Sequence, residues 1–244
     1  HMAGQIPVDL DFLHALPEMA RSYGTLFLFD EVVTGFRDSR GGWQELVGIK
    51  PDLSTIGKCA GGGLPVGAVI GREDILAALD ARTPMNRRII HSGTWNANPL
   101  VAAAGIAACS QYMDGIPQQK ARQVARRFRE GGNEIVRGKG ISGRFYSRTV
   151  VHFYLGPLEF EPENLDWQAP TTDAATIMNP EMMQIRTRLC LHLLQRGIAT
   201  FDGEMYVLSA AHTNQDVDRT LEALDDSLDA MIAEGSLPQS LMLK

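Results

Sequence analysis

Cysteine is scarce: Cys59, Cys109 and Cys190 are the only three in 244 residues. Their spacing builds neither a disulfide framework nor a zinc-ligand set, so a reducing cytoplasm and no metal are expected. No apolar run approaches the ~18 residues of a membrane span. The N-terminus lacks a basic segment followed by an apolar stretch, so no signal peptide is expected. His1-Met2 reads either as a cloning scar or as native sequence exposed by truncation. Blocks of lysine and arginine are missing, and the formal net charge is -6. Neither nucleic acid nor a membrane is therefore the expected partner. Internal repeats and low-complexity segments are absent too.

What remains is ordinary globular material, 44% hydrophobic and 21% charged. The length suits one large domain, or a medium domain plus a small one. Periodicity predicts a helix over 9–23, with Leu10, Leu13, Leu16 and Met19 on one face, stopped by Gly24. Thr25 to Asp30 (TLFLFD) is a short apolar run closed by a charge, as in a strand buried on both faces. Further strands are predicted at 52–56 and 66–70, then a helix at 72–80 and an Ala-rich, closely packed helix at 98–113. A long amphipathic helix follows at 118–138. Residues 145–155 read as one strand or a pair, 156–180 as a long loop, and 205–209 as a strand. Helices are predicted at 180–195 and 214–233. The organisation expected is an α/β layer over 1–115, a bridging helix over 116–140 and a small α+β domain over 141–244.

Two residues carry the chemical signal. Asp30 ends a predicted strand, and ligands gather at the carboxyl ends of strands in open α/β sheets. Such a carboxylate is either a functional group or a helix cap. Lys58 follows the next predicted strand and precedes Gly61-Gly62-Gly63. An exposed loop charge is the plain reading, but consecutive glycines also let a backbone approach a ligand closely. The mononucleotide loop pattern G-x-x-x-x-G-K-[ST] is absent. A strand-end carboxylate and a nearby lysine are the two groups pyridoxal-phosphate chemistry needs. The amine binds the cofactor aldehyde and later moves a proton; the carboxylate keeps the ring nitrogen protonated. His91-Ser92-Gly93-Thr94, ahead of the Ala-rich helix, suits either an anion or a simple turn and N-cap.

Three segments carry a family resemblance. Leu28-Phe29-Asp30-Glu31-Val32-Val33-Thr34-Gly35-Phe36-Arg37 resembles the strand-end motif of class III pyridoxal-phosphate-dependent aminotransferases. Pro51-Asp52 through Gly63-Leu64-Pro65-Val66-Gly67-Ala68 resembles their lysine segment. Ser92-Gly93-Thr94 through Gly105 resembles their phosphate-threonine segment. Order and spacing match, and the nearest branch is the glutamate-1-semialdehyde aminomutase-like one. The resemblance implies the type I fold of these enzymes, with a large, mostly parallel mixed sheet and a small C-terminal α+β domain. It implies pyridoxal 5'-phosphate as cofactor, bound by Lys58, with Asp30 on the ring nitrogen and Val32 against a ring face. Gly93 and Thr94 would reach the phosphate held by a partner subunit, so a homodimer with shared sites is expected. Arg37 is read as a structural ion-pair residue, and His91 and Trp95 as site-lining or packing residues. Arg144, Arg148 and Arg186 are candidates for holding a substrate carboxylate. Family members are nearly twice as long, and the part without a counterpart here is N-terminal. The function expected is amino-group transfer between an amino compound and a keto or aldehyde acceptor. The alternatives are an intramolecular aminomutase, or a cofactor-free binding or dimerisation module.

Overall fold

The computed structural model describes Ile6 and residues 8–243; His1-Met2 lies outside the described residues. The chain divides into two compact units between Gln118 and Gln119, and Ile6 joins the second unit.

The first unit opens with helix α1, Leu10–Ser22. It starts one residue later than its periodicity predicts, because Asp9 is used as its N-cap and accepts from the Phe12 N–H at 2.8 Å. Strand β1, Leu28–Glu31, runs parallel to β2, Leu53–Gly57, which pairs antiparallel with β3, Gly67–Gly71. The result is a mixed three-stranded sheet in the order β1-β2-β3. The register sets Asp30 beside Thr55. Between β1 and β2 lies a helix that periodicity could not show, α2, Gly42–Val47, which is under two turns long. Beyond β3, the helix expected over 72–80 shrinks to α3, Glu73–Leu76, and a 3₁₀ turn at Ala77–Leu79. Helix α4, Pro99–Tyr112, starts on a proline at its first position and is capped by the Asn98 side chain.

The expected burial of TLFLFD on both faces is corrected. Leu28 is 49% exposed, and β3 is exposed at every position. Double-sided burial requires a layer over each face, and the described residues do not supply both.

The second unit is differently built. Helix α5, Ile116–Gly138, leads into hairpin β4 (Gly143–Tyr146) and β5 (Val150–Leu155). The segment after β5 carries a short helix, α6, Ala174–Ile177, inside the expected loop. Helix α7, Pro180–Gln195, precedes β6, Met205–Val207, and α8, Asn214–Ala233, closes the fold. The sheet is antiparallel in the order β4-β5-β6, and every residue of β4 and β5 is buried. Phe145 and Phe153 stack across the hairpin with ring centroids 4.2 Å apart. Gly132 on α5 admits that stack, since a Cβ there would lie 2.8 Å from the Phe145 ring. On α8, Val217, Leu224, Leu228 and Met231 repeat at helical spacing and are all buried in this core. A capping box between Thr213 and Asp216 starts the helix.

One buried polar group sets a pH limit for this unit. His152 is 1% exposed, and its Nδ1 lies 3.9 Å from Glu204 Oε1. Burial holds the imidazole below its ordinary range of 6.5, although Glu204 pulls the other way. Burial also opposes the Glu204 carboxylate, but His152 and the Arg186 charge outweigh it and lower its pKa. Below about pH 6.5 the unfolded chain takes up a proton that folded His152 refuses, so stability falls as pH drops. Below about pH 4.5 the loss of the Glu204 charge adds to it. The melting temperature should therefore decline between pH 7 and 5, and His152→Gln should flatten that decline. A variant with the parent's slope would rule out His152 as the source.

Candidate active site

Neighbouring residues in a strand point to opposite faces, and β1 uses this to divide two carboxylates. Glu31 is buried. Its oxygens accept from the Trp43 N–H at 3.0 Å and the Gln44 N–H at 2.7 Å, and from the Thr34 hydroxyl. It therefore anchors the first turn of α2. Gly42 makes room for it with a φ of 77°; a Cβ there would sit 2.6 Å from Glu31 Oε1. The cap reading considered for the strand-end carboxylate thus belongs to Glu31.

Asp30 faces the other way and is exposed. Its Oδ1 accepts from the Val32 N–H at 2.9 Å and the Thr55 hydroxyl at 2.8 Å. The Val32 backbone bond, then the Thr55 bond, hold its pKa below the ordinary carboxylate range; burial opposes them, and the nearby Lys58 charge adds the smallest contribution in the lowering direction. Thr55 was missed at the level of sequence. Only the β1–β2 register reveals it, and a parallel register cannot be read from either strand alone.

Lys58 directly follows β2, at the same end of the sheet as Asp30. It opens the 3₁₀ turn Lys58–Gly61 and is exposed. Its amine makes no hydrogen bond or ion pair among the described residues. The backbone there is left-handed, with φ at 46°, a conformation that costs a residue with a Cβ roughly 1–2 kcal/mol. Val32 closes the cluster from the side. A Cβ on Gly57 would lie 3.3 Å from Val32 Cγ1, so the valine packs over the backbone just ahead of the lysine. Asp30, Val32 and Lys58 are brought together.

Gly93 and Thr94 stand in the exposed segment ahead of α4, and no hydrogen bond among the described residues joins them to that cluster. Asn96 organises the segment, its Nδ2 lying 3.1 Å from His91 Nε2. Trp95 is 80% exposed. The arginines proposed for a substrate carboxylate are already engaged within the second unit. Arg144 binds Glu161 at 2.6 Å, Arg186 lies 3.3 Å from Glu204, and Arg148 lies 3.7 Å from Asp166 and stacks on Trp167. A buried guanidinium needs a carboxylate partner, and the fold supplies one to each. Among the described residues no His, Cys, Asp and Glu group could hold a metal, and no helix is long and apolar enough to cross a membrane.

Comparison with known proteins decides the family. The model of the aminotransferase class-III family matches residues 2–142. The chain belongs to the class III aminotransferases. Two curated relatives are named glutamate-1-semialdehyde 2,1-aminomutase. The protein from Akkermansia muciniphila is 36% identical over 220 residues, 89% of this chain and 48% of that protein. The one from Thermus thermophilus is 37% identical over 232 residues, 93% of this chain and 50% of that protein. Among solved structures, a β-phenylalanine aminotransferase from Variovorax paradoxus superposes with a TM-score of 0.79 at 28% identity, covering 95% of this chain and 50% of that one. An omega-transaminase from Sphaerobacter thermophilus gives 0.78 at 27% identity, over 93% and 49%. The class III architecture is thereby established for this chain, which spans about half the length of the relatives it matches.

Proposed function

We propose that this chain carries the lysine centre of a pyridoxal 5'-phosphate-dependent aminotransferase, which moves an amino group between an amino compound and a keto or aldehyde acceptor. The observation behind this is the meeting of an unpaired Lys58 amine with the Asp30 carboxylate at the ends of adjacent parallel strands, in a class III chain. The residues present fit the cofactor. Both hydrogen bonds to Asp30 fall on Oδ1, so Oδ2 is available to a protonated ring nitrogen. When bound, pyridoxal phosphate supplies an electron sink for the bond broken at the substrate Cα. Asp30 would hold the proton on the ring nitrogen. Lys58 would bind the cofactor aldehyde, and its amine would carry the proton to and from the substrate Cα. Val32 would support a ring face.

Gly93 and Thr94 are assigned to the phosphate of a partner subunit's cofactor, as the family resemblance implies, which makes the working form a homodimer. Residues 1–115 then belong to the cofactor-binding domain, and 141–244 form the small domain beyond the helix of 116–140. The three free thiols fit a reducing cytoplasm. A second reading, an intramolecular aminomutase, is favoured by the names of the relatives at 36–37% identity. Amino transfer to an added keto acid supports the first reading; nitrogen shifted within one substrate supports the second.

The exposed faces of β1 and β3 also bear on the isolated 244 residues. Exposed strand edges and apolar faces associate. Expressed alone, this span should self-associate and bind pyridoxal phosphate weakly, and supplying the N-terminal region found in its relatives should suppress that association and tighten the binding. Sedimentation and cofactor titration test this, and a monomeric, fully active span would refute it. The simplest test of the reading itself is optical: protein loaded with pyridoxal phosphate should be yellow and should bleach with borohydride.

A further inference from the structure

The glycine run after Lys58 has a use in the structure that concerns packing. Its turn rests on one face of α4, backbone against backbone. A Cβ on Gly62 would lie 2.9 Å from the Ala104 carbonyl oxygen and 3.0 Å from the Ala108 Cβ. In return, a Cβ on Gly105 would lie 2.9 Å from the Ala60 carbonyl oxygen. One turn further along α4, the Tyr112 hydroxyl donates to the Cys59 carbonyl at 3.3 Å. That carbonyl also accepts from the Gly62 N–H at 3.4 Å. The Tyr112 ring meets Phe36 at 5.7 Å, and Phe36 belongs to the turn that follows Asp30 and Glu31. Tyr112 thus touches both segments that present the candidate catalytic pair.

We propose that Gly105 and Tyr112 are positioning residues for Lys58: the helix face they form sets the left-handed turn that aims the amine. The inference rests on the functional reading above for its purpose, but not for its geometry. A lysine held at positive φ relaxes unless its surroundings fix it, and the two backbones are close enough to do so only because Gly62 and Gly105 have no Cβ. Tyr112 adds a directed bond to the residue next to the lysine. Burial raises the pKa of its phenol, so it stays a donor throughout the working pH range.

The test compares Tyr112→Phe, which removes one hydroxyl, and Gly105→Ala, which adds one methyl, with Ile106→Ala as control. Ile106 is on the same helix and is 70% exposed. Hydrogen exchange of the amides in 58–64 needs no cofactor. It should be roughly three- to tenfold faster in Tyr112→Phe, and faster by on the order of tenfold or more in Gly105→Ala. Ile106→Ala should leave it unchanged. In protein loaded with pyridoxal phosphate, the pH midpoint of the visible absorbance should shift in the first two variants only. A helix that merely stabilised the fold would lower the melting temperature of Tyr112→Phe and Gly105→Ala and leave the midpoint in place. Parent-like exchange and midpoint in both Tyr112→Phe and Gly105→Ala would overturn the proposal. If the parent takes up no cofactor at Lys58, the functional reading fails, while the exchange data still decide whether this face holds the turn.

Discussion

Lys58→Ala is expected to abolish amino transfer and the visible absorbance of protein treated with pyridoxal phosphate. The loss should be on the order of 10⁴-fold or greater, about 5.5 kcal/mol or more of transition-state stabilisation, because in the proposed function one amine serves both as covalent anchor and as proton carrier. The fold should survive. The side chain is exposed and makes no hydrogen bond or ion pair among the described residues, and alanine adopts φ near 46° with the same strain as lysine. A melting temperature close to the parent's, together with lost absorbance, separates a chemical defect from unfolding. Activity should be measured with the N-terminal region of the relatives supplied. Retained turnover in Lys58→Ala would move the centre to another lysine.

Asp30→Asn should cost on the order of 10²-fold in turnover or more, roughly 3 kcal/mol. The geometry predicts a clean comparison. An asparagine Oδ1 still accepts from the Val32 N–H and the Thr55 hydroxyl, so the side chain keeps its place and only the charge is lost. Without that charge a bound cofactor's ring nitrogen would lose its proton and the electron sink would weaken. The Val32 and Thr55 hydrogen bonds and the Lys58 charge keep the Asp30 carboxyl ionised below its ordinary range. Asp30 should therefore not set the acid limb of the free protein's pH profile; that limb should lie where other groups titrate. Near-normal turnover in Asp30→Asn would show that the ring nitrogen is served elsewhere.

Candidate residues are easier to pick out in the sequence than the setting that surrounds them. Lys58 and Asp30 stood out because strand ends and glycine runs are local features. Strands and helices emerged where their patterns were long: 180–195 and 214–233 match α7 and α8 residue for residue. Short α2 could not be seen, since its stability comes from Glu31, a residue eleven positions before its first turn. The small residues of α4 announced a close neighbour, and Ala104, Gly105 and Ala108 receive the Lys58 turn of the same chain. Small side chains announce close approach without naming what approaches. Arg144, Arg148 and Arg186 drew attention for their charge, but their carboxylates come from loops and strands whose positions only the fold fixes. The TLFLFD run was read as doubly buried from its composition. Composition records what a strand is suited to, whereas the burial observed depends on which layers the 244 residues supply.

The role of Lys58 can be tested by chemical trapping. The protein is incubated with pyridoxal 5'-phosphate, reduced with borohydride, digested, and its peptides are mapped by mass spectrometry. Reduced cofactor should be found on Lys58, in the peptide that contains Gly57 and Cys59, and should be absent from that peptide in Lys58→Ala. Cofactor fixed to a different lysine, or spread evenly over exposed lysines such as Lys50 and Lys120, would contradict the assignment.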